Sequence, residues 1–337
     1  MLSKGNQQAL LGWYDEHQRA LPWRQTNDPW AILLSEILLQ QTQVSRGLIY
    51  WRRMIETFPT LASMAAAPVD AVLKAWEGAG YYSRARRLHA LSQQVMLPKS
   101  KGGFDGQLPA TYDALLSLPG IGPYTAAAVA SIAFGEPVAC VDGNIRRVMA
   151  RQTARAEPTN KQVQAWADAS VHVQRPGDWN QALMELGATV CTPRRWACEG
   201  CPIYDSCSGK SSPEHYPTSK KQRVSVLNLT AVVEFAVDGH PVLHQRPMSG
   251  MFAGLWGPDY RDGPMADVQN LTFCGAVRHQ LSHRKIEVRV YLNPRCEVLY
   301  GTEREAVALS TLDEKVLSLA AKHVALGDVC QATGAKG

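Results

Sequence analysis

Four of the eight cysteines in this chain lie within the short stretch CTPRRWACEGCPIYDSC, residues 191–207. Their spacing is Cys191-x6-Cys198-x2-Cys201-x5-Cys207. A loop that gathers four thiols can bind a zinc ion or a [4Fe–4S] cluster. There is one CxxC pair and the two outer spacings are unequal, unlike the paired knuckles of a zinc ribbon. The spacing therefore favours iron–sulfur and leaves zinc open, whereas four unrelated structural thiols would not explain such a density.

The character of the sequence changes near residue 208. Residues 1–207 have the pattern of a mostly helical body, in which Asp28-Pro29 predicts the start of a strongly apolar helix, WAILLSEILLQQTQV. Residues 208–224 are polar and rich in Pro, Ser and Lys, which predicts a linker. From 225 to 330, runs such as KIEVRVYL predict strands and LDEKVLSLAAKHVA predicts an amphipathic helix. We therefore expect an all-α body, a linker and a smaller α+β domain.

Charge and hydropathy restrict the partners and the compartment. Residues 1–224 hold 24 Lys and Arg against 18 Asp and Glu, whereas the remainder holds 11 against 12. A basic excess in the first two-thirds fits a polyanion partner, although a mildly basic soluble surface would look the same. The sequence has no apolar run of membrane-spanning length and no signal-peptide pattern, so we expect a cytoplasmic, nucleoid-associated protein without disulfides.

Two short motifs outside the cysteine stretch point to chemistry. In LPGIGPYTA, Gly120 and Gly122 predict a tight turn between two helices, whose backbone N–H groups can hold a phosphate. A plain helix–helix turn is the alternative. Twenty residues later, CVDGNIRRV places Asp142 at a predicted helix start, where an ordinary N-cap aspartate is the alternative.

Together these motifs resemble a known superfamily. LPGxGxxTA followed by VDGN resembles the helix-hairpin-helix-Gly/Pro-Asp motif of DNA glycosylases, and the cysteine spacing resembles the [4Fe–4S] loop of the endonuclease III and MutY group. The resemblance implies that Asp142 stabilises positive charge on the sugar, while Asn144 orients that carboxylate or a water. It also implies that the cluster braces a loop whose Arg194 and Arg195 meet DNA phosphate and has no redox role in base removal.

A further stretch narrows the resemblance to the MutY family. LLSEILLQQTQV is similar to the segment in which that family carries a glutamate, here Glu36. Burial on this apolar helix should raise the pKa of Glu36, so that it can protonate adenine; a salt-bridged helix glutamate is the alternative. Tyr124 stands where bifunctional relatives carry a Schiff-base lysine. The resemblance therefore implies a monofunctional enzyme that uses water.

Other matches imply contacts to the flipped base and to the duplex. A flipped base is recognised by stacking and edge hydrogen bonds. The implied adenine pocket consists of Arg19, Leu21, Trp23 and Glu185. For the duplex, the resemblance implies that Gln41 fills the gap left by the base, that Tyr82 wedges beside the lesion, and that Arg84 and Arg86 lie near phosphate. Core packing or surface charge would explain each of these residues singly.

The C-terminal region resembles the Nudix-like domain with which the MutY family recognises 8-oxoguanine. GMFAGLWGPD and VRHQLSHRKIEV carry the match. The family's Phe-Ser-His triplet is here Leu281-Ser282-His283, so a leucine without a π face replaces the aromatic wedge. The Glu-rich helix of Nudix hydrolases is absent from the sequence, so we expect lesion reading without nucleotide hydrolysis.

These observations predict a MutY-type adenine-DNA glycosylase with a [4Fe–4S] cluster. Its expected substrate is double-stranded DNA carrying adenine opposite 8-oxoguanine or guanine, and a monomer without membrane contact is expected. Two alternatives stay open. One is an endonuclease III-like glycosylase with lyase activity, against which Tyr124 and the second domain argue. The other is a catalytically silent mismatch-binding iron–sulfur protein, against which Glu36 and Asp142 argue.

Overall fold

The computed structural model describes residues 2–218, 224–281 and 284–333, with side chains up to residue 324. The chain forms two compact units. The first comprises Met1–Ala66 and Arg87–Lys220, and the second comprises Ala67–Arg86 and Lys221–Gly337. The segment Ala67–Arg86, which the sequence analysis places within the helical body, thus packs with C-terminal residues.

Helices dominate the part of the chain that precedes the cysteine stretch. They are α1 (Lys4–His17), α2 (Pro29–Leu38), α3 (Val44–Thr57), α4 (Leu61–Ala66), α5 (Val69–Ala75), α6 (Ser83–Met96), α7 (Tyr112–Leu116), α8 (Pro123–Phe134), α9 (Gly143–Gln152), α10 (Asn160–Asp168) and α11 (Pro176–Thr189). Asp28 caps α2 as expected, because its side chain accepts a 3.1 Å bond from the Trp30 amide. No helix in the described residues is both long and apolar enough to span a membrane.

The core of the first unit brings the site-bearing helices together. Helix α2 is buried along its whole length from Trp30 to Leu38, and it packs on α3 and α8. Helix α11 packs on α1, α8 and α9, with Trp179 and Leu183 almost completely buried. Because these helices are apolar on several faces, the few carboxyl groups on them lie inside the unit, where burial changes their pKa.

The first part of the predicted linker is bound to the first unit. The amide of Gly209 donates a 2.8 Å bond to the carbonyl of Arg151, and the amide of Thr218 donates a 2.8 Å bond to Ala156. A Cβ on Gly209 would lie 2.6 Å from the Arg151 carbonyl oxygen, so the backbone approaches α9 closely. Residues 208–218 therefore pack as part of that unit.

The second unit contains a four-stranded mixed sheet with strands β1 (Ser225–Glu234), β4 (Asp259–Asp262), β5 (Thr272–Gln280) and β6 (Arg284–Asn293). Their order across the sheet is β4-β1-β6-β5. The short strands β2 (His244–Gln245) and β3 (Trp256–Gly257) pair separately. Strand β1 runs parallel to β6 and antiparallel to β4. Helix α12 (Thr311–Thr333) covers one sheet face through apolar residues such as Leu312 and Val316. A helical body followed by a C-terminal region with a sheet is thus confirmed.

Candidate active site

One cavity of about 520 Å³ in the first unit collects most of the predicted site residues. It lies among α2, α8, α9, α11 and the turn Pro22–Arg24. Of the predicted residues, its lining includes Arg19, Leu21, Trp23, Glu36, Gln41, Tyr124, Asp142, Asn144 and Glu185. These positions are up to 166 residues apart in sequence, so the fold places them around one space large enough for a nucleobase.

Glu36 is a buried carboxyl group in this cavity, with 8% of its surface exposed. The hydroxyl of Tyr124 donates a 2.6 Å hydrogen bond to its Oε2 and also lies 3.3 Å from the Met184 sulfur. Burial raises the pKa of Glu36 to about 7, with a smaller contribution from the negative charge of Asp142. The Tyr124 bond and the charge of Arg24 oppose that rise. Glu36 can therefore carry a proton near neutral pH.

Asp142 stands at the N-terminus of α9 and is held at both oxygens. Its Oδ1 accepts a 2.7 Å bond from the Ile145 amide, and its Oδ2 accepts a 2.7 Å bond from the Asn144 side chain. Burial raises the pKa of Asp142, while these two bonds and the charge of Arg147 oppose the rise. Asp142 is therefore the N-cap residue of α9 and also lines the cavity. The two roles, which the sequence offers as alternatives, occur together in one residue.

Glu185 forms the polar end of the cavity with two arginines. Its side chain is fully buried, and Arg19 donates to it through Nε at 2.7 Å and through Nη2 at 2.7 Å. Arg24, which sequence analysis did not single out, donates to Oε2 at 2.8 Å. Burial alone would raise the pKa of Glu185, but the bonds from both arginines lower it to about 2. An ionised carboxylate flanked by two guanidinium groups offers both acceptors and donors to a base edge.

Apolar and turn residues complete the cavity. Leu21 and Trp23 are 7% and 6% exposed, and the Trp23 ring meets Trp51 edge to face at 5.7 Å. Trp23 therefore belongs both to the core and to the cavity lining. Gln41 is exposed and has a φ of +57°, which is unusual for a residue other than glycine. Its conformation turns the chain between α2 and α3.

The predicted hairpin turn between α7 and α8 is present. Gly120 has a φ of +79°, and a Cβ there would lie 2.7 Å from the Cβ of Arg87 on α6. Gly122 precedes Pro123, the first residue of α8, and a Cβ there would meet open space. The turn thus leaves the N-terminal amides of α8 without a side-chain cap, which is the geometry of an anion-binding helix end.

The predicted duplex contacts Tyr82, Arg84 and Arg86 lie in the second unit. Tyr82 is 6% exposed, and its hydroxyl donates a 3.0 Å bond to the carbonyl of Leu309. The neighbouring Tyr81 is 42% exposed, and the Arg84 guanidinium stacks over its ring at 5.4 Å. Arg86 donates to the Ala253 carbonyl. Of the two adjacent tyrosines, Tyr81 is the one with an exposed side chain.

The four cysteines of residues 191–207 line one small cavity of about 30 Å³. Arg151 also lines it and donates a 3.2 Å bond from Nη1 to the Cys191 sulfur. Within the described residues, no three His, Cys, Asp or Glu side chains are grouped closely enough for a single metal ion. The guanidinium of Arg151 beside the Cys191 sulfur is a cation that suits a site made of thiolates.

The cysteine loop is connected to the large cavity through Arg147 on α9. The Nε of Arg147 donates to the Cys191 carbonyl at 2.7 Å, and its Nη2 donates to Asn144 Oδ1 at 2.8 Å and to the Gly187 carbonyl at 2.6 Å. Asn144 in turn bonds to Asp142. Arg194 and Arg195, predicted to meet phosphate, are exposed in the same loop.

Of the triplet predicted to recognise the lesion, Leu281 lies within the described residues. Leu281 is half-buried, packs against the core of the second unit and donates its amide to the Arg284 carbonyl at 2.8 Å. It closes the turn between β5 and β6. Ser282 and His283 lie outside the described residues.

Comparison with known proteins identifies relatives of this chain. Residues 34–170 match the family described as "HhH-GPD superfamily base excision DNA repair protein". The chain is 34% identical over 363 residues to the "Adenine DNA glycosylase" of Homo sapiens, which covers 84% of this chain and 66% of that protein. It is 34% identical over 404 residues to the Rattus norvegicus "Adenine DNA glycosylase", covering 93% and 77%.

A solved structure of another DNA glycosylase is also similar to the chain. The structure of a "thermostable thymine-DNA glycosylase" matches with a TM-score of 0.55 and 30% identity, covering 61% of this chain and 94% of that one. The sequence identity to the curated relatives and the match of residues 34–170 place the chain in the adenine DNA glycosylase family of the HhH-GPD superfamily.

Proposed function

We propose that this DNA glycosylase hydrolyses the bond between adenine and deoxyribose in duplex DNA, where the adenine is mispaired with 8-oxoguanine or guanine. The observation that carries the proposal is that one cavity is lined both by Glu36, which can carry a proton near neutral pH, and by Asp142, which caps the N-terminus of α9. Tyr124, at the position where the resemblance implies a lysine in bifunctional relatives, is bonded to Glu36. A phenol cannot form a Schiff base, so this supports hydrolysis without strand cleavage.

The chemical step follows from the two carboxyl groups. Glu36 donates its proton to N7 of the flipped adenine, so that the base leaves with the electron pair of the C1′–N9 bond. Asp142, as a carboxylate held by the Ile145 amide and Asn144, stabilises the positive charge that develops on the sugar. Water then adds to C1′, and its proton goes to the carboxylate left on Glu36.

Adenine is held by the opposite end of the cavity. Glu185 accepts from the exocyclic amine of the base, while Arg19 and Arg24 fix the carboxylate and offer donors to ring nitrogens. Leu21 and Trp23 supply apolar surface beside the base. A pyrimidine has a shorter edge than adenine and would leave some of these buried carboxylate and guanidinium groups without a hydrogen-bond partner. The pocket should therefore disfavour pyrimidines.

The DNA contacts use backbone amides, arginines and one tyrosine. The hairpin with Gly120 and Gly122 accepts a phosphate at the N-terminus of α8, and exposed Arg194 and Arg195 bind further phosphates. Gln41, exposed at the cavity lining, fills the space of the flipped base. We assign the wedge to exposed Tyr81 and no longer to Tyr82, because the Tyr82 side chain is buried and bonded within the second unit.

The cysteine loop is proposed to bind a [4Fe–4S] cluster through Cys191, Cys198, Cys201 and Cys207. Such a cluster supplies structural bracing here and takes no part in bond cleavage. The shared cavity of the four side chains and the Arg151 bond to the Cys191 sulfur support this assignment. The bracing would reach the cavity through Arg147, which bonds both the Cys191 carbonyl and Asn144.

The second unit is proposed to have a Nudix-like fold that recognises 8-oxoguanine through Leu281, Ser282 and His283. The mixed sheet covered by α12 and the position of Leu281 in the β5–β6 turn support this reading. Leucine would contribute apolar contact without ring stacking. We also propose a monomeric protein acting at the nucleoid, since the sequence carries a basic excess in residues 1–224.

Single-turnover cleavage of a labelled duplex with one adenine:8-oxoguanine pair tests the proposal. A break in the adenine strand only after hot alkali is expected, since hydrolysis leaves an intact abasic strand. A break without alkali would contradict the monofunctional mechanism and favour the lyase alternative. A gel shift without any break would favour the silent mismatch-binding protein. A duplex with thymine in place of adenine is the matched control and should stay intact.

A further inference from the structure

A short loop of the second unit presents an exposed tyrosine in an unusual conformation. This tyrosine loop, defined as Glu77–Tyr82, carries Tyr81 with a φ of +46°. Tyr81 follows Gly78 and Gly80, whose φ values are +83° and +72°. Positive φ is costly for a residue with a Cβ and persists only where surrounding contacts hold it. An exposed aromatic ring held in this way suggests that its position serves binding.

Hydrogen bonds within the tyrosine loop and from residues beside it fix part of its conformation. The Trp76 Nε1 donates to the Gly80 carbonyl at 3.0 Å, and the Gly78 amide donates to the Tyr82 hydroxyl at 3.1 Å. Arg84 donates to the Gly80 carbonyl at 3.2 Å while its guanidinium stacks on the Tyr81 ring. An aromatic ring backed by a guanidinium is a surface that stacks on bases and attracts phosphate.

The remaining constraint comes from a segment more than 220 residues later in the sequence. Glu77 Oε1 accepts a 2.8 Å bond from the amide of Leu309, and the Tyr82 hydroxyl donates a 3.0 Å bond to the carbonyl of the same residue. Lys74 bridges Glu77 Oε2 at 3.0 Å and the Val307 carbonyl at 2.9 Å. Leu309 is fully buried, so both of its backbone polar groups depend on these side chains.

We propose that the C-terminal segment Val307–Leu309 holds the tyrosine loop in its DNA-binding shape, and that Glu77 is a positioning residue acting through Tyr81. The proposal rests on the proposed duplex-DNA substrate. It gives the second unit a task besides lesion reading, because its backbone fixes both ends of the loop that exposes Tyr81. Loss of either Leu309 bond should release the loop and weaken stacking on DNA without changing the chemistry of Glu36 and Asp142.

A double-mutant cycle on the full-length protein tests this. The measured quantity is the dissociation constant for a duplex carrying a non-hydrolysable adenine analogue opposite 8-oxoguanine. Base–aromatic stacking predicts that Glu77→Ala and Tyr81→Ala each weaken binding about tenfold. If Glu77 acts through Tyr81, the double variant binds no more weakly than Tyr81→Ala. The proposal would be overturned if the two losses of affinity multiplied, so that the double variant bound about a hundredfold more weakly than the wild type. It would also be overturned if Glu77→Ala bound as tightly as the wild type.

Three further variants separate positioning from general stability. Glu77→Gln keeps an acceptor for the Leu309 amide and should retain most of the affinity. Tyr82→Phe removes only the hydroxyl and should lose affinity, which keeps the test decisive if Glu77→Ala folds poorly. Gln245→Ala removes a 2.9 Å bond to Asp70 elsewhere in the same unit and should not change affinity. An equal loss in Gln245→Ala would contradict the proposal.

The affinity measurement is independent of catalysis. A wild-type protein that binds the duplex and gives the non-additive pattern, yet releases no adenine, would contradict the proposed reaction and leave the anchoring role of Leu309 supported. A wild-type protein that releases adenine but gives multiplied losses in the cycle would overturn the anchoring role alone.

Discussion

The hydroxyl of Tyr124 donates a 2.6 Å hydrogen bond to Oε2 of Glu36, and both residues line the same 520 Å³ cavity. The bond joins the residue that is expected to stand at the place of a lysine nucleophile to the residue proposed as the general acid. Because burial raises the pKa of Glu36 to about 7 and the bond opposes that rise, we expect the pair to determine the pH dependence of the proposed reaction.

Glu36→Gln is expected to abolish adenine release while retaining lesion binding. An amide cannot donate the proton, and general acid catalysis contributes at least about a hundredfold to such rates. In the wild type, the single-turnover rate constant should fall as pH rises through about 7, since Glu36 loses its proton there. The measurement is the rate constant between pH 5 and 9, together with the dissociation constant of the variant. A variant with the wild-type rate constant would remove Glu36 from the mechanism.

Tyr124→Phe should move the alkaline limb of the pH–rate profile to higher pH. The hydroxyl stabilises the ionised form of Glu36, so its removal raises the pKa of that carboxyl further. The ring keeps its volume, so the fold should be unaffected. The same single-turnover series measures the shift, and Tyr112→Phe, on α7 outside the cavity lining, is the control. A limb that stays at about pH 7, or moves down, would show that the bond does not tune Glu36.

Much of this site could be predicted because its residues sit in short local motifs. Glu36, Asp142 and Tyr124 are each marked by neighbouring residues in sequence, and the fold only has to bring the motifs together. Arg24 carries no such mark, since its role comes from Glu185, which is 161 residues away. Only the tertiary structure shows that two arginines share one buried carboxylate.

The tyrosine pair illustrates a second limit. Tyr81 and Tyr82 are adjacent and chemically identical, so composition cannot decide which ring faces solvent. Which of the two rings is exposed depends on the positive φ of Tyr81 and on the hydrogen bond from the Tyr82 hydroxyl to the carbonyl of Leu309, a residue 227 positions later. The packing of Ala67–Arg86 with C-terminal residues likewise depends on contacts between residues far apart in sequence, so no local motif predicts it. The strand Thr272–Gln280 lacks a regular alternation of buried and exposed residues in its first half, because a glycine and a bulge interrupt the pattern there.

Glu185→Ala should destabilise the first unit. The variant leaves Arg19 and Arg24 without their buried counter-ion, and breaking such a pair from one side costs about 3 kcal/mol of unfolding free energy. Urea denaturation measures this. Asp15→Ala breaks the solvent-exposed pair with Arg175 and should cost less than about 1 kcal/mol. Equal losses in the two variants would contradict the distinction.

The pH dependence of stability provides an independent check on Glu185. Its pKa is lowered to about 2 in the folded protein from an ordinary value of 4.5, so the unfolded chain binds the proton more readily. The stabilisation is therefore complete above pH 4.5 and is lost as pH falls from 4.5 towards 2. Glu185→Gln should lack this component of acid destabilisation. If the unfolding free energy of that variant depended on acidic pH as in the wild type, the loss of stability in acid would have to come from other carboxyl groups.

Cys198→Ser is expected to reduce bound iron and weaken duplex binding. One thiolate ligand fewer should leave the cluster incomplete, and the loop with Arg194 and Arg195 would lose its bracing. Iron content and the absorbance of the purified protein measure the first effect, and a gel shift measures the second. Cys296→Ser, a cysteine of the second unit, is the matched control. Unchanged iron and affinity in Cys198→Ser would contradict the assignment, and zinc in place of iron would favour the alternative left open by the spacing.

Arg147→Lys should lower the rate constant of adenine release while retaining duplex affinity. An ammonium group cannot reproduce the three bonds to Cys191, Asn144 and Gly187, so the Asn144 amide loses the contact that fixes its orientation towards Asp142. Misplacement of a catalytic group by this route costs roughly tenfold to a hundredfold in rate. Arg146→Lys, the next residue on α9, is the control, because Arg146 bonds Asn160 and does not line the cavity. A rate constant equal to that of Arg146→Lys would show that Asp142 is held by its Ile145 amide bond alone, whereas a loss of rate with unchanged affinity would establish the path from the cysteine loop to Asp142.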